Sequence, residues 1–302
     1  MDFLYSIGRF FNKPERAAWV FLFPSLLALT LFLFIPLIFA FGISFFDVNV
    51  FLKNFQFVEM KNFEELLRDQ RFWNSLVNTI YFTILVVPVG TAVSLAIALY
   101  VQKNTLFRKT LRSVFYVPVI CSMTAISIVW AILLDPTIGM FAYWARMIGF
   151  ENAQFLKDPD MAMPLVALMS IWKTFGLNMI VLMAALQAVP EDYYEAARID
   201  GASKMRQFFR LTIPSILPTL GFCTVTNTIS SFMVFDQTYV MTRGGPLFRT
   251  ETLAQYVYMR GFAISPFRLG YASAVAEMLF LFVAVISILM YGFFMKSERR
   301  VL

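Results

Sequence analysis

A stripe of polar side chains and a lone lysine, Lys173, sit inside stretches that otherwise carry almost no charge. In the stripe Thr224, Asn227, Ser231 and Val234 recur at helical spacing, flanked by Thr228 and Ser230. Hydroxyls and carboxamides in this pattern can exchange hydrogen bonds with a hydroxylated ligand, or they can bond helix to helix; the residues alone leave both readings open. Lys173 is the sharpest single residue, because a lysine near mid-helix costs roughly 2.5–3.5 kcal/mol on insertion scales. It must face water or an acid, which means an anionic solute, a carboxylate such as Glu277, or an outward-snorkelling geometry. Asp236 and Glu277 fall towards the ends of two apolar runs, where a structural or gating contact fits better than an ion relay at mid-depth.

The absences narrow the chemistry. There is no histidine, which excludes Ser-His-Asp and Cys-His triads and histidine metal sites. Cys121 and Cys223 both lie in apolar runs, so neither a disulfide framework nor a zinc knuckle is expected. No Gly-x-x-x-x-Gly-Lys-Ser/Thr run occurs, so no phosphate cradle of that type is present. A membrane enzyme would need a cluster of catalytic groups that these runs do not supply.

The elements that position the polar stripe and Lys173 are membrane spans. Of the 302 residues 59% are hydrophobic and 15% charged, too apolar a balance for a soluble surface and the opposite of a disordered one. Uncharged runs cover Ala17–Phe46, Phe72–Gln102, Ser113–Leu134 and Leu211–Phe235. Met161–Pro190 and Leu269–Met295 carry one charge each, Lys173 and Glu277. Each is long enough to cross a hydrocarbon core of roughly 30 Å. Six spans place both termini on one side. The connections on that side hold 14 Lys and Arg against 10 on the other, which makes it the cytoplasmic side. The net charge of +6 is thus sided as membranes require, and nucleic acid is not expected as a partner. Residues 1–18 read as an interfacial cytoplasmic helix, with Phe3, Leu4, Ile7, Phe10 and Phe11 on one face. Prolines 24, 36, 88, 118, 164, 214 and 218 punctuate the spans, as membrane helices tolerate.

The connection 190–214 has its own logic and predicts two short helices around a sharp turn. Pro190 is placed as a first helical residue, with Glu191 and Asp192 at the positive end of the dipole. Gly201 closes the first helix, and Ser203 caps the second.

Here the sequence resembles a known family. Glu195-Ala196-Ala197, then Gly201, then Leu211-x-Ile213-Pro214 is similar to the EAA loop of ATP-binding-cassette importer permeases, with two aliphatics exchanged in the closing Ile-x-Leu-Pro. Trp172-Lys173, Thr242-Arg-Gly-Gly-Pro246 and Gly270-Tyr-Ala-Ser-Ala274 extend the resemblance over roughly residues 15–295, within the carbohydrate branch. It implies an all-α polytopic protein of the type I importer permease fold. The parts are a first span over 19–46, a permease core over 72–295 including the coupling loop 190–214, and a cytoplasmic tail over 296–302. It implies a bacterial or archaeal cytoplasmic membrane, and three protein partners: a related permease forming a heterodimer, an ATPase dimer that binds Mg-ATP, and an extracytoplasmic solute-binding protein. No cofactor is expected in this chain and no catalytic residue. By the same resemblance Glu195, Ala196, Ala197, Asp200, Gly201 and Ala202 couple to the ATPase, Glu195 through a polar contact. Sugar-contacting positions fall on Ser170, Lys173, Thr174, Leu177, Asn227, Ser230, Ser231 and Val234. Lys173 and Leu177 depart in type from the maltose importer's subunit, so maltose itself is not implied. An anionic cargo, such as a uronate oligosaccharide or glycerol phosphate, is the alternative within the class; an ion-coupled secondary transporter is the alternative outside it.

Overall fold

A computed structural model describes residues 14–52, 55–150 and 153–298. The N-terminal interfacial helix expected over 1–18 falls outside these residues except for its last five, which open the first long helix. The chain divides into two compact units, residues 1–66 with 260–274, and residues 67–259 with 275–302.

In the first unit α1 (Pro14–Leu29) passes through a π turn, Thr30–Phe34, into α2 (Ile35–Ile43). Pro36 cannot donate to the carbonyl four residues back, and a π turn is the usual local adjustment to such a missing bond. The flanks of this span are almost wholly exposed aromatic and aliphatic side chains, Phe21 and Phe32 among them, as a lipid-facing helix requires. A two-stranded antiparallel hairpin follows, β1 (Phe46–Asp47) on β2 (Gln56–Phe57), with Phe46 opposite Phe57. The buried Asn62 carboxamide, on α3 (Lys61–Arg68), donates to the Ser44 and Phe46 carbonyls at 2.7 and 3.0 Å. Glu65 of the same helix forms a two-pronged ion pair with Arg268.

The second unit is built on two long helices, α4 (Gln70–Val101) and, after three shorter ones, α8 (Ala162–Gln187). Between them come α5 (Leu106–Ile120), α6 (Met123–Leu133) and α7 (Met140–Met147). Beyond α8 lie α9 (Glu191–Ile199), α10 (Lys204–Gln207), α11 (Ile213–Phe232), α12 (Asp236–Thr242), α13 (Leu253–Tyr258) and the final span α14 (Leu269–Glu298), which runs through both units. Apolar packing between α4 and α8 falls in two layers. One joins Phe82 and Val86 to Met163, Val166, Met169 and Val234; the other joins Ala98 and Val101 to Met179, Leu182 and Ile216.

The third span departs from the sequence reading. The uncharged run Ser113–Leu134 is not one helix: α5 and α6 meet at 96° across Cys121 and Ser122, both extended. Pro118, in the last turn of α5, withholds a backbone donor just where the break occurs. A break inside an apolar layer strands the last carbonyls of α5, and one of them has a cation as partner. Lys173 Nζ donates to the Val119 carbonyl at 3.0 Å. The sequence offered a carboxylate, an anionic solute or outward snorkelling for this lysine, and the ammonium sits on a helix terminus instead.

One turn along the same crossing, Gly176 lets α8 approach α5 closely. A Cβ there would lie 2.3 Å from the Phe115 carbonyl oxygen, a backbone atom that cannot step aside. Gly176→Ala is therefore expected to cost about 1–3 kcal/mol by forced repacking. The check is a lowered thermal-unfolding midpoint of the detergent-solubilised protein; an unchanged midpoint would show the crossing to be looser than described.

Candidate functional site

Two features of the second unit concentrate the polar residues singled out in the sequence. The first is a cleft of about 200 Å³. α4 contributes Phe82 and Val86, α6 its first residue Met123, α8 Ser170 and Thr174, and α11 Asn227, Ser230 and Ser231; Met233, Val234, Phe235, Asp236 and Gln237 close it. Six of the eight expected ligand positions thus share one cavity, while Lys173 and Leu177 do not line it. Leu177 is half exposed on another face of α8.

Hydrogen bonding sorts the polar groups by availability. Thr224 and Thr228 turn their hydroxyls back to carbonyls of their own helix at 2.7 and 2.8 Å, so they are spent locally. Ser170 Oγ donates to the Val166 carbonyl at 2.8 Å and accepts from Gln237 Nε2 at 3.3 Å. Thr174 Oγ1 donates to the Ser170 carbonyl at 2.7 Å. Asn178 Nδ2 donates to Asn227 Oδ1 at 3.0 Å, tying α8 to α11 and fixing the Asn227 amide in orientation. Among the described residues the Ser230 and Ser231 hydroxyls have no partner. Val234 reaches the cleft by a route the periodicity did not foresee. α11 ends at Phe232, so Val234 belongs to the following bend, where its carbonyl accepts from Thr252 Oγ1 at 2.7 Å.

The second feature is the helix pair after α8. α9 ends in a Schellman motif: the Gly201 N–H donates to the Arg198 carbonyl at 3.0 Å, and the Ala202 N–H to the Ala197 carbonyl at 2.9 Å. Gly201 sits at φ +74° with open space where a Cβ would go, so its conformation, not packing within the chain, calls for glycine. Asp200 is the C-cap residue and Ser203 caps α10, accepting from the Arg206 N–H at 3.3 Å. Pro190 is the N-cap residue, one position before the helical site assigned from sequence, because its ψ of 138° is extended. Glu195 and Ala196 are exposed and Ala197 is half-buried. The second helix of the pair is not separate: α10 runs through a π turn, Phe208–Thr212, directly into α11. Pro214 plays here the part of Pro36 in the first span. Tyr194 on α9 hydrogen-bonds Thr212 at 3.1 Å and braces the joint. A larger cavity, about 770 Å³, lies under the pair, between it and the ends of α4 and α8.

Sequence reasoning missed a third feature. Glu251, 1% exposed, receives both Nε and Nη2 of Arg71 at 2.7 Å, and Asn78 Nδ2 donates to the carbonyls of Phe248 and Glu251. This pair anchors the Thr242–Pro246 segment, where Thr250 Oγ1 meets Thr242 Oγ1 at 2.6 Å and donates to the Gly245 carbonyl at 2.7 Å. Gly244 lies at φ +85°, and a Cβ there would fall 2.9 Å from Gln255 Nε2.

Residues 67–302 match the family of binding-protein-dependent transport system inner membrane components. The chain belongs to that family. It is 31% identical over 96% of its length to a probable ABC transporter permease protein, YurN, of Bacillus subtilis (strain 168), covering 99% of that relative. It is also 31% identical to the lactose transport system permease protein LacF of Rhizobium radiobacter, covering 93% of this chain and 94% of that one. A chain of the bacterial alginate ABC transporter superposes with a TM-score of 0.79 at 23% identity, covering 96% of each chain. This importer permease therefore has the all-α, type I membrane fold expected from its sequence, and is a transport subunit rather than an enzyme.

Proposed function

We propose that this permease is one half of the membrane pore of an ATP-driven, binding-protein-dependent importer for a sugar or oligosaccharide. The cleft is its share of the cargo path, and α9 is the contact for a separate ATPase dimer that binds Mg-ATP. A second, related permease completes the pore, a solute-binding protein delivers cargo from outside, and both termini lie in the cytoplasm. Glu195 supplies the polar contact, Ala196 and Ala197 allow close approach, and Asp200, Gly201 and Ala202 set the turn.

The observation that carries this reading is mechanical. From Lys204 to Phe232 the chain is one helical run of 29 residues, about 43 Å long at 1.5 Å per residue. One end is the capped turn at Gly201 and the other lines the cleft with Asn227, Ser230 and Ser231. A push on the turn is thereby delivered to the cleft. The exposed apolar side chains around the turn, Tyr193, Ile199 and Met205, suit a protein partner better than water. The lactose permease relative supports a sugar as cargo.

The test is reconstitution of the four-component importer in proteoliposomes. Uptake should require Mg-ATP and resist a protonophore, and Ala196→Cys should cross-link to the ATPase. Uptake that persists without ATP and collapses with the protonophore would assign the chain to ion-coupled transport instead.

A further inference from the structure

We infer that the cleft selects a neutral, polyhydroxylated cargo and that Asp236 is the residue that turns anionic ones away. This rests on the reading of the cleft as the cargo path. The hydrogen-bonding groups that line it are uncharged hydroxyls and amides on Ser170, Thr174, Asn227, Ser230, Ser231 and Gln237. Asp236 is the single ionisable side chain of the lining, and no cation pairs with it among the described residues.

Lys173, the cation on the helix that brings Ser170 and Thr174 to the cleft, is committed elsewhere. Lys173 lies between Ser170 and Thr174 in sequence, but its ammonium serves the Val119 carbonyl at the end of α5 and does not line the cleft. A carboxylate or phosphate leaving water for such a site needs a cation or a cluster of donors in compensation. What it meets is a second negative charge. Asp236 is itself exposed at the cleft, so at about 6 Å and an effective dielectric near 40 that repulsion lowers occupancy on the order of tenfold. A sugar hydroxyl meets the opposite situation, because an ionised carboxylate is a strong acceptor for it. The half-buried Phe235 adds an apolar surface for the C–H side of a pyranose.

The experiment measures sugar binding to the assembled importer in nanodiscs without its binding protein, so that only the membrane site selects. Probes are neutral di- and trisaccharides and the same sugars carrying one uronate group. The neutral probes should bind at least about tenfold more tightly than their uronate forms. Asp236→Asn should raise the uronate-to-neutral binding ratio about tenfold, and Asp236→Glu should leave that ratio low. Equal binding of both forms by the unmodified importer, or a ratio that Asp236→Asn leaves unmoved while neutral sugars still bind, overturns the inference and spares the sugar reading. Binding of neither form removes the sugar reading and this inference with it.

Discussion

Glu195→Lys is expected to reduce uptake by about a hundredfold or more while the chain reaches the membrane in ordinary amounts. The two halves of that expectation come from one observation. The Glu195 side chain is exposed on α9 and makes no hydrogen bond or ion pair with the rest of the described chain. Lysine is as good a helix former as glutamate, so α9 itself loses nothing by the exchange. Whatever the substitution costs must be felt across an interface, where a reversed charge leaves the partner's group opposed and desolvated. Gly201 behaves differently. At φ +74° a side chain strains the turn by roughly 1–2 kcal/mol, least for asparagine or aspartate, which visit this region most readily. Uptake should therefore fall further with Gly201→Val than with Gly201→Asn, and a Gly201→Asp defect would report added charge at the interface more than a broken turn. Radiolabelled uptake beside quantitative blotting of the membrane fraction decides the matter. Normal uptake by Glu195→Lys at normal abundance would end the coupling assignment.

The turn at Gly201 and the cap at Ser203 were legible in the sequence because everything that specifies them lies within ten residues. The same holds for the spans, since an apolar run announces itself whatever surrounds it. The break at Cys121–Ser122 was hidden by that very property: an uncharged run reads as continuous, and Pro118 alone does not say whether a helix bends or breaks. Lys173 shows the complementary blindness. Its charge demanded a partner, but a backbone carbonyl freed by a distant break has no residue type to search for. Val234 reached the expected cleft although the helix assumed to carry it stops at Phe232, since residues just past a helix end can remain beside it. Arg71 and Glu251 lie 180 positions apart with no shared motif, and only the fold brings them together.

That pair carries the largest stability effect expected in the chain. Glu251 is buried, and its carboxylate takes two donors from Arg71 and lies 3.4 Å from Ser75 Oγ. The guanidinium is held from its other faces as well, 4.1 Å above the Phe248 ring and 5.6 Å from that of Tyr256, whose hydroxyl donates to Asp69. Removing the carboxylate leaves a cation fixed among aromatic rings with only the weaker field of Asp69 to offset it, and breaking a fully buried pair in this way costs about 3–5 kcal/mol. Arg71 keeps roughly a quarter of its side chain in contact with solvent, so the cost here should be nearer 2–3 kcal/mol. Glu251→Leu is expected to lower the unfolding midpoint of the solubilised importer clearly, and Glu251→Gln less, because the amide keeps one acceptor. Arg71→Met combined with Glu251→Leu should recover much of the loss, since no charge is then stranded. If the double variant is as unstable as the sum of the two single ones, the pair contributes through its separate contacts with Phe248 and Ser75, and mutual neutralisation is not what holds this segment in place.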